Sequence, residues 1–192
     1  MSSKIDRKHI LQLDNALMLI LRANRNEIDG RTTLQKLMYL CSQRVQVEGT
    51  EDFKPSYYGP YSANLTEAIE RSVGLKFLRE EPRITRRDHV SYRYSLGEDV
   101  IGIIDKLEQT YSVQFEKISK IVADANSYCG LNPYALSYAA KVHYMLKQGK
   151  KPIDFRAAAR KAEEFDWKMN EGQAKAGIDL LLALRFAKKN SN

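Results

Sequence analysis

One short stretch of twofold alternation, set between long runs of helical spacing, constrains the fold of this chain most. After Pro82, four apolar residues alternate with polar ones, as in a half-buried β-strand. They are Val90, Tyr92, Tyr94 and Leu96. We expect residues 83–87 to pair with this strand as a β-hairpin. Elsewhere the apolar spacing is helical, so the chain is predicted to be mainly α.

Three helices are expected before the hairpin. The first runs over residues 6–25, before a polar, turn-prone stretch at residues 24–30. The second begins at Thr32, where Gln35 completes a capping box, and it directs Lys36 away from its apolar stripe. The third begins near Pro60, with Ser62 as an alternative cap, and it ends at Gly74 as a left-handed stop. Three helices and a hairpin indicate a winged-helix-like N-terminal lobe over residues 1–97.

The pattern of residues 98–192 is helical almost to the end, which predicts a C-terminal helical lobe. Asn132, Asp154 and Asn170 each stand where a helix is expected to begin, and each carries a side-chain oxygen that can cap it. We therefore expect one protein with two lobes, divided near residue 97.

Length and composition exclude several classes of protein. The chain has 192 residues, of which 43% are hydrophobic and 29% are charged. No run approaches the roughly 20 apolar residues of a membrane helix, and the N-terminus lacks the apolar stretch of a signal peptide. We expect a cytoplasmic protein with no membrane partner. Two cysteines, Cys41 and Cys129, are too few for a disulfide framework or a cysteine-rich metal site.

Motifs for catalysis are missing from the sequence. The three histidines, His9, His89 and His143, fall on different predicted elements without the paired spacing of metal ligands. No phosphate-binding glycine loop and no nucleophile signature occurs. We expect no enzyme activity, no cofactor and no metal, because chemistry would need an unforeseen cluster around Lys36, Tyr39 or His89.

Basic side chains gather on and beside the predicted hairpin. They are Arg79, Arg83, Arg86, Arg87 and Arg93. Guanidinium groups bind phosphates through forked hydrogen bonds, so this wing is a candidate nucleic-acid-binding surface. Glu80, Glu81 and Asp88 lie among the arginines, and internal ion pairs on a solvated hairpin are the alternative interpretation.

The net charge of the chain is +7, but the excess is diffuse. Residues 1–99 hold 16 basic and 14 acidic side chains, and residues 100–192 hold 15 and 10. On the third helix, Asn64 and Arg71 are the further candidates for nucleic-acid contact, whereas Glu67 and Glu70 would repel phosphates. The connection between the second and third helices is also longer than a helix-turn-helix turn.

An aromatic loop precedes the third helix, with the sequence Tyr57-Tyr58-Gly59-Pro60-Tyr61. Its rings could stack on a base or contact a protein, or they could pack against the second helix. We expect packing to dominate and Tyr58 to be buried. The candidate partner-binding residues are Tyr57, Tyr61, Lys36 and Tyr39.

Two of these motifs carry a family resemblance. Leu34-Gln35-Lys36-Leu37-Met38-Tyr39, followed by the Tyr58-Gly59-Pro60 loop and the segment 74–78, resembles the YwgA-type family of uncharacterised prokaryotic proteins. More distantly it is similar to the Panacea domain of SocA-like antitoxins. The resemblance covers about residues 7–100, and a weaker likeness surrounds Trp167. It implies a helical, winged-helix-like protein without a known catalytic role, and the antitoxin likeness implies binding to a partner protein.

Two functions stay open at this point, both of them non-enzymatic macromolecule binding. The first, which the charge favours slightly over the second, is a winged-helix nucleic-acid-binding regulator, based on the wing arginines and the positive charge. The second is a protein-interaction module, such as an antitoxin, an adaptor or a component of a defence system. A homodimer is compatible with either function.

Overall fold

The computed structural model describes residues 10–84, 90–148 and 154–186. Within these ranges the fold is mainly helical, with one small antiparallel sheet. The helices are α1 (Leu13–Ala23), α2 (Arg31–Ser42), α3 (Ala63–Gly74), α4 (Ile101–Thr110), α5 (Ser112–Cys129), α6 (Pro133–Gln148), α7 (Phe155–Ala162) and α8 (Glu171–Ala183). The strands are β1 (Glu27–Asp29), β2 (Leu78–Ile84) and β3 (Val90–Leu96).

A hairpin that includes the predicted strand at residues 90–96 is confirmed. Its first strand, β2, was expected at residues 83–87 but spans Leu78–Ile84, and residues 85–87 lie outside the described ranges. The sheet also contains one strand more than expected. β2 pairs with β3 from Leu78↔Leu96 to Ile84↔Val90. β1 pairs with the other edge of β3, giving the order β1-β3-β2. The turn-prone stretch at residues 24–30 contains a turn at residues 24–26, as expected, and then the strand β1, which was not predicted. A three-residue strand is too short to show a twofold pattern of its own.

Two predicted helix starts were wrong. α1 begins at Leu13 instead of residue 6, because the backbone of Leu11 pairs with Gln46 and Glu48, although residues 6–9 lie outside the described ranges. The expected Thr32 capping box is absent, since α2 begins at Arg31 after Gly30 and no side chain caps it.

The end of α3 also differs from the expected left-handed stop at Gly74. Gly74 is helical, and the positive φ falls two residues later, at Lys76, with a value of 61°. The helix is capped at its start as proposed, because the side chain of Ser62 accepts a hydrogen bond from the backbone N–H of Leu65.

The caps predicted in the second half of the chain are confirmed. Asp154 accepts from the N–H of Ala157, and Asn170 forms a full capping box with Gln173. The side-chain oxygen of Asn132 accepts from the N–H groups of Tyr134 and Ala135 at the start of α6.

Buried side chains from both halves of the chain join in one hydrophobic core. Leu34 and Leu37 of α2 belong to it, together with Leu136 and Val142 of α6. The division near residue 97 stays a prediction. No helix in the described ranges is long and apolar enough to cross a membrane.

Candidate functional site

In the structure the aromatic loop extends from Tyr57–Tyr61 back to residue 53, and residues 53–61 form a compact turn between α2 and α3. The backbones of Lys54 and Tyr61 exchange two hydrogen bonds, of 3.0 and 2.9 Å. Inside this pair, Ser56 and Gly59 exchange two more, of 3.2 and 2.8 Å. Tyr57 and Tyr58 thus occupy the two central positions of the turn, where side chains project away from the backbone bonds.

α2 holds the loop through two consecutive polar residues that are both 2% exposed. Nζ of Lys36 donates a 2.6 Å hydrogen bond to the carbonyl oxygen of Pro60. The amide of Gln35 makes two bonds to the backbone of Ser62, accepting from its N–H at 3.0 Å and donating to its oxygen at 2.8 Å. The prediction that Lys36 points away from the apolar stripe was therefore wrong.

The second half of the chain holds the loop from the other side. The indole N–H of Trp167 donates a 2.7 Å hydrogen bond to the carbonyl oxygen of Ser56. Gly59 lies against α6, where a Cβ on this residue would stand 3.0 Å from Cγ of Lys141. Its φ of 97° is one that favours glycine.

The loop places its tyrosines outward and its Gly-Pro pair inward. Gly59 and Pro60 are buried, whereas Tyr57 is 71% exposed, Tyr58 50% and Tyr61 39%. The rings of Tyr57 and Tyr58 contact each other edge to face, with centroids 4.8 Å apart. The expectation that Tyr58 is buried was wrong, because the anchors of the loop are its backbone carbonyls rather than its rings.

Two buried lysines meet beneath the loop. Lys141 is 6% exposed, and its ammonium group lies 5.5 Å from the centroid of the Trp167 ring. Burial and, secondarily, the charge of Lys141 lower the pKa of Lys36 to about 7. Burial also lowers the pKa of Lys141. Neither ammonium group forms a salt bridge with a carboxylate of the described ranges, so no negative charge opposes the effect of burial on either pKa.

Tyr39, a further candidate for partner contact, belongs to the interior. It is 2% exposed, and its hydroxyl shares a 3.0 Å hydrogen bond with Nδ1 of His143. Burial raises the pKa of the Tyr39 phenol and lowers that of His143 to about 4, so both groups are neutral near pH 7. Lys36 bonds the loop from inside, and the ring of Tyr39 packs edge to face on Phe53 with centroids 5.2 Å apart. Tyr57 and Tyr61, by contrast, are exposed on the loop surface.

Three of the five candidate arginines of the wing are described, and they lie on the outer face of the sheet, opposite the core. Because facing residues of paired strands share a side, Arg79, Arg83 and Arg93 lie together with Glu27, Asp29 and Glu81. Arg93 bonds both carboxylate oxygens of Asp29, at 2.6 and 2.9 Å, and Arg79 contacts Glu98 at 3.0 Å. The described part of this face therefore carries three arginines and three carboxylates on the same side of the sheet.

The remaining nucleic-acid candidates are bonded within the molecule or lie outside the described ranges. Arg71 donates to both oxygens of Asp14, at 2.9 and 2.8 Å. The amide of Asn64 donates to the carbonyl oxygen of Gly49 at 3.2 Å. Outside the described ranges lie Arg86, Arg87 and His89.

Three residues of this site could not be assigned from the sequence. Trp167 is the lone tryptophan of the chain, which marked it as a residue of interest. Nothing in the sequence indicated its hydrogen bond to Ser56, 111 positions earlier. Lys141 resembles any helical lysine in sequence, and Gln35 was assigned to a local cap instead of a bridge to Ser62.

Comparison with known proteins finds the uncharacterized protein YwgA of Bacillus subtilis (strain 168). It is 31% identical to this chain over 123 residues, and the match covers 57% of this chain and 73% of YwgA. A scan against models of protein families gives no match.

Proposed function

We propose that this chain, which belongs to the YwgA family, is a protein-interaction module whose aromatic loop docks on a partner protein. The observation that carries this proposal is the exposure of Tyr57, at 71%, and Tyr58, at 50%, on a loop whose backbone is fixed. Exposed aromatic rings on a rigid support are the usual anchors of protein interfaces.

The rigidity of the loop favours binding. Lys36, Gln35 and Trp167 together bond the backbone of Pro60, Ser62 and Ser56. A loop held in one conformation before binding loses little conformational entropy when a partner arrives. Tyrosine adds a large, amphipathic contact area with few rotatable bonds.

The fold is compatible with both functions that the sequence left open, and the resemblance to antitoxins supports this one. The order α1-β1-α2-α3-β2-β3 and the sheet order β1-β3-β2 fit a winged-helix-like N-terminal lobe. SocA-like antitoxins, which the first half of the chain resembles, act by binding a partner protein. At the last described pair of the hairpin, Ile84 is 83% exposed and Val90 62%, which adds apolar surface.

Nucleic-acid binding is the second candidate function, favoured by the winged-helix-like order and the net charge of +7. The ion pairs of Arg79, Arg93 and Arg71 weaken it, because a phosphate would have to displace a carboxylate from each. An anisotropy titration with duplex DNA at two salt concentrations tests this candidate. Binding through phosphates must weaken steeply as salt rises.

The experiment for the first candidate is an affinity pull-down from native, nuclease-treated lysate. The bait is the full chain, as wild type and as the Tyr57→Ala/Tyr58→Ala variant. The control is Tyr128→Ala/Tyr134→Ala, which removes two exposed tyrosines from other surfaces. We expect a stoichiometric protein that the wild type and the control capture and the loop variant loses. Equal capture by all three baits contradicts the proposal.

A further inference from the structure

A cleft away from the aromatic loop is lined by more cationic side chains than carboxylates. It lies between the end of α2, the middle of α5 and the end of α8, and its volume is about 470 Å³. Its charged lining consists of Arg44, Lys117, Lys120, Arg185 and Asp124. The four cations are exposed, so the lining carries four positive charges against one negative.

The single carboxylate in this lining is already paired. Asp124 contacts Nζ of Lys120 at 3.1 Å, one helical turn away. Lys117 and Arg185 have no ion pair or side-chain hydrogen bond within residues 10–84, 90–148 and 154–186. Lys117 and Lys120 are three positions apart on α5, so they project from the same side of the helix.

Arg44 is held in place rather than free to turn away. Its guanidinium group donates to the carbonyl oxygen of Arg185 and lies 4.4 Å from the centroid of the Phe186 ring. Ile121 and Leu184, both buried, form the apolar part of the lining. The cleft thus combines a fixed guanidinium, two unpaired cations and an apolar wall.

We infer that this cleft binds a phosphate group. Guanidinium and ammonium groups are the usual protein donors to phosphate oxygens, and unpaired cations require no displacement of an internal carboxylate. A volume near 470 Å³ is that of a small-ligand pocket, with room for a nucleotide beside the phosphate. On the outer face of the sheet, by contrast, carboxylates match the arginines. The cleft is separate from the aromatic loop, so the test of phosphate binding is independent of the test of partner binding.

The test uses the full chain and three probes: a fluorescent mononucleotide, a fluorescent 20-nucleotide single strand, and a fluorescent polyglutamate peptide. Binding is followed by anisotropy at two salt concentrations, with inorganic pyrophosphate as competitor. The test variant is Lys117→Gln/Arg185→Gln. The control, Arg160→Gln/Lys168→Gln, removes two exposed positive charges outside the cleft and so matches the change in net charge. Circular dichroism melting confirms that each variant is folded.

We expect the wild type to bind a phosphate probe and pyrophosphate to displace it. The cleft variant should bind roughly tenfold more weakly or worse, since hydrogen bonds to charged groups are among the strong ones, while the control keeps its affinity. For the single strand, the slope of log affinity against log salt should become shallower by roughly 0.7 for each phosphate that no longer pairs with a cation. If the mononucleotide and the single strand bind with equal affinity, the ligand is a small phosphate compound. If the single strand binds more tightly, the ligand is a nucleic-acid strand.

Three results overturn the inference. The first is no binding of either phosphate probe by the wild type. The second is an equal loss of affinity in the cleft variant and in the control, which would show that binding depends on net charge alone. The third is tighter binding of polyglutamate than of both phosphate probes, which would assign the cleft to an acidic protein segment.

Discussion

Nζ of Lys36 lies 2.6 Å from the carbonyl oxygen of Pro60, in the interior, where the lysine is 2% exposed. This bond joins the middle of α2 to the loop that presents Tyr57 and Tyr58. The charge of another buried amine, that of Lys141, lowers the pKa of Lys36 beyond the effect of burial. The loop is therefore held by a lysine that is close to losing its proton at neutral pH.

Protonation of Lys36 should make the stability of the protein depend on pH. The pKa of Lys36 is about 7 in the folded chain, against an ordinary value of 10.5, so the unfolded chain binds more protons between these values. The free energy of unfolding should accordingly rise with pH from about 7 upward. Below pH 7 Lys36 is protonated in both states, and the destabilisation caused by its buried charge is then at its largest. Urea unfolding of the wild type at pH 7, 8 and 9 measures this slope.

The Lys36→Met variant should lose most of the slope, and Lys106→Met, which changes an exposed lysine, should keep it. Burial also lowers the pKa of Lys141, so this lysine adds to the slope in all three proteins. Comparison within each pH removes its effect together with those of the phenols and thiols. An unchanged slope in Lys36→Met would show that Lys36 is not the titrating group.

The bridge between Gln35 and Ser62 should contribute measurably to stability. The Gln35→Ala change leaves a buried N–H and a buried carbonyl oxygen of Ser62 without this partner. We expect a loss of about 1–3 kcal/mol in the free energy of unfolding, the usual cost of an unsatisfied buried polar group. Gln109→Ala, at an exposed position of α4, is the matched control and should change stability little. Equal unfolding midpoints in urea for both variants would contradict this role of Gln35.

Gly59 should be sensitive to a single methyl group. Gly59→Ala forces an alanine to a φ of 97° and places its Cβ 3.0 Å from Cγ of Lys141. The expected cost is roughly 1–3 kcal/mol, that of a strained backbone conformation. Gly102→Ala is the control, because no atom lies within 4 Å of its Cβ position and its backbone is helical. That variant should be more stable by about 0.4–1 kcal/mol, and thermal melting of both proteins measures the contrast.

On the outer face of the sheet, the pKa of Asp29 should depend on its ion pair with Arg93. The hydrogen bond from Arg93 lowers the pKa of the Asp29 carboxyl below its ordinary value of 3.8. Replacing Arg93 with Gln should therefore raise this pKa, while Arg160→Gln leaves it unchanged. Carboxyl chemical shifts followed by NMR against pH measure it directly. An Asp29 pKa that does not move would mean that Arg93 is free to bind a ligand.

The sequence predicted the helices of this fold well where apolar spacing and caps agreed. Ser62, Asp154 and Asn170 cap helices as expected, because an N-cap bond joins residues only two or three positions apart. The hairpin was equally accessible, since the alternation of Val90 to Leu96 continues over its whole length. β1 was missed because its partner, β3, lies about 65 positions away in the chain.

The site was less predictable because its contacts are remote in sequence. Lys36 is separated from Pro60 by 24 positions, and Trp167 from Ser56 by 111. A lysine in a helical pattern is usually solvated, so its burial could not be inferred from spacing. The arginines of the hairpin were candidates for binding a ligand, whereas Arg93 is paired within the molecule. Its carboxylate partners come from β1, the strand that the sequence pattern did not reveal.

The central claim is that the exposed tyrosines of the aromatic loop bind a partner protein, and the dissociation constant of the captured partner tests it most directly. Isothermal titration calorimetry with the purified partner should give similar constants for the wild type and for Tyr128→Ala. Tyr57→Ala should weaken binding by roughly thirtyfold or more, since an aromatic anchor costs at least about 2 kcal/mol when truncated. A Tyr57→Ala constant within about twofold of the wild type, in a fully folded variant, would contradict the claim.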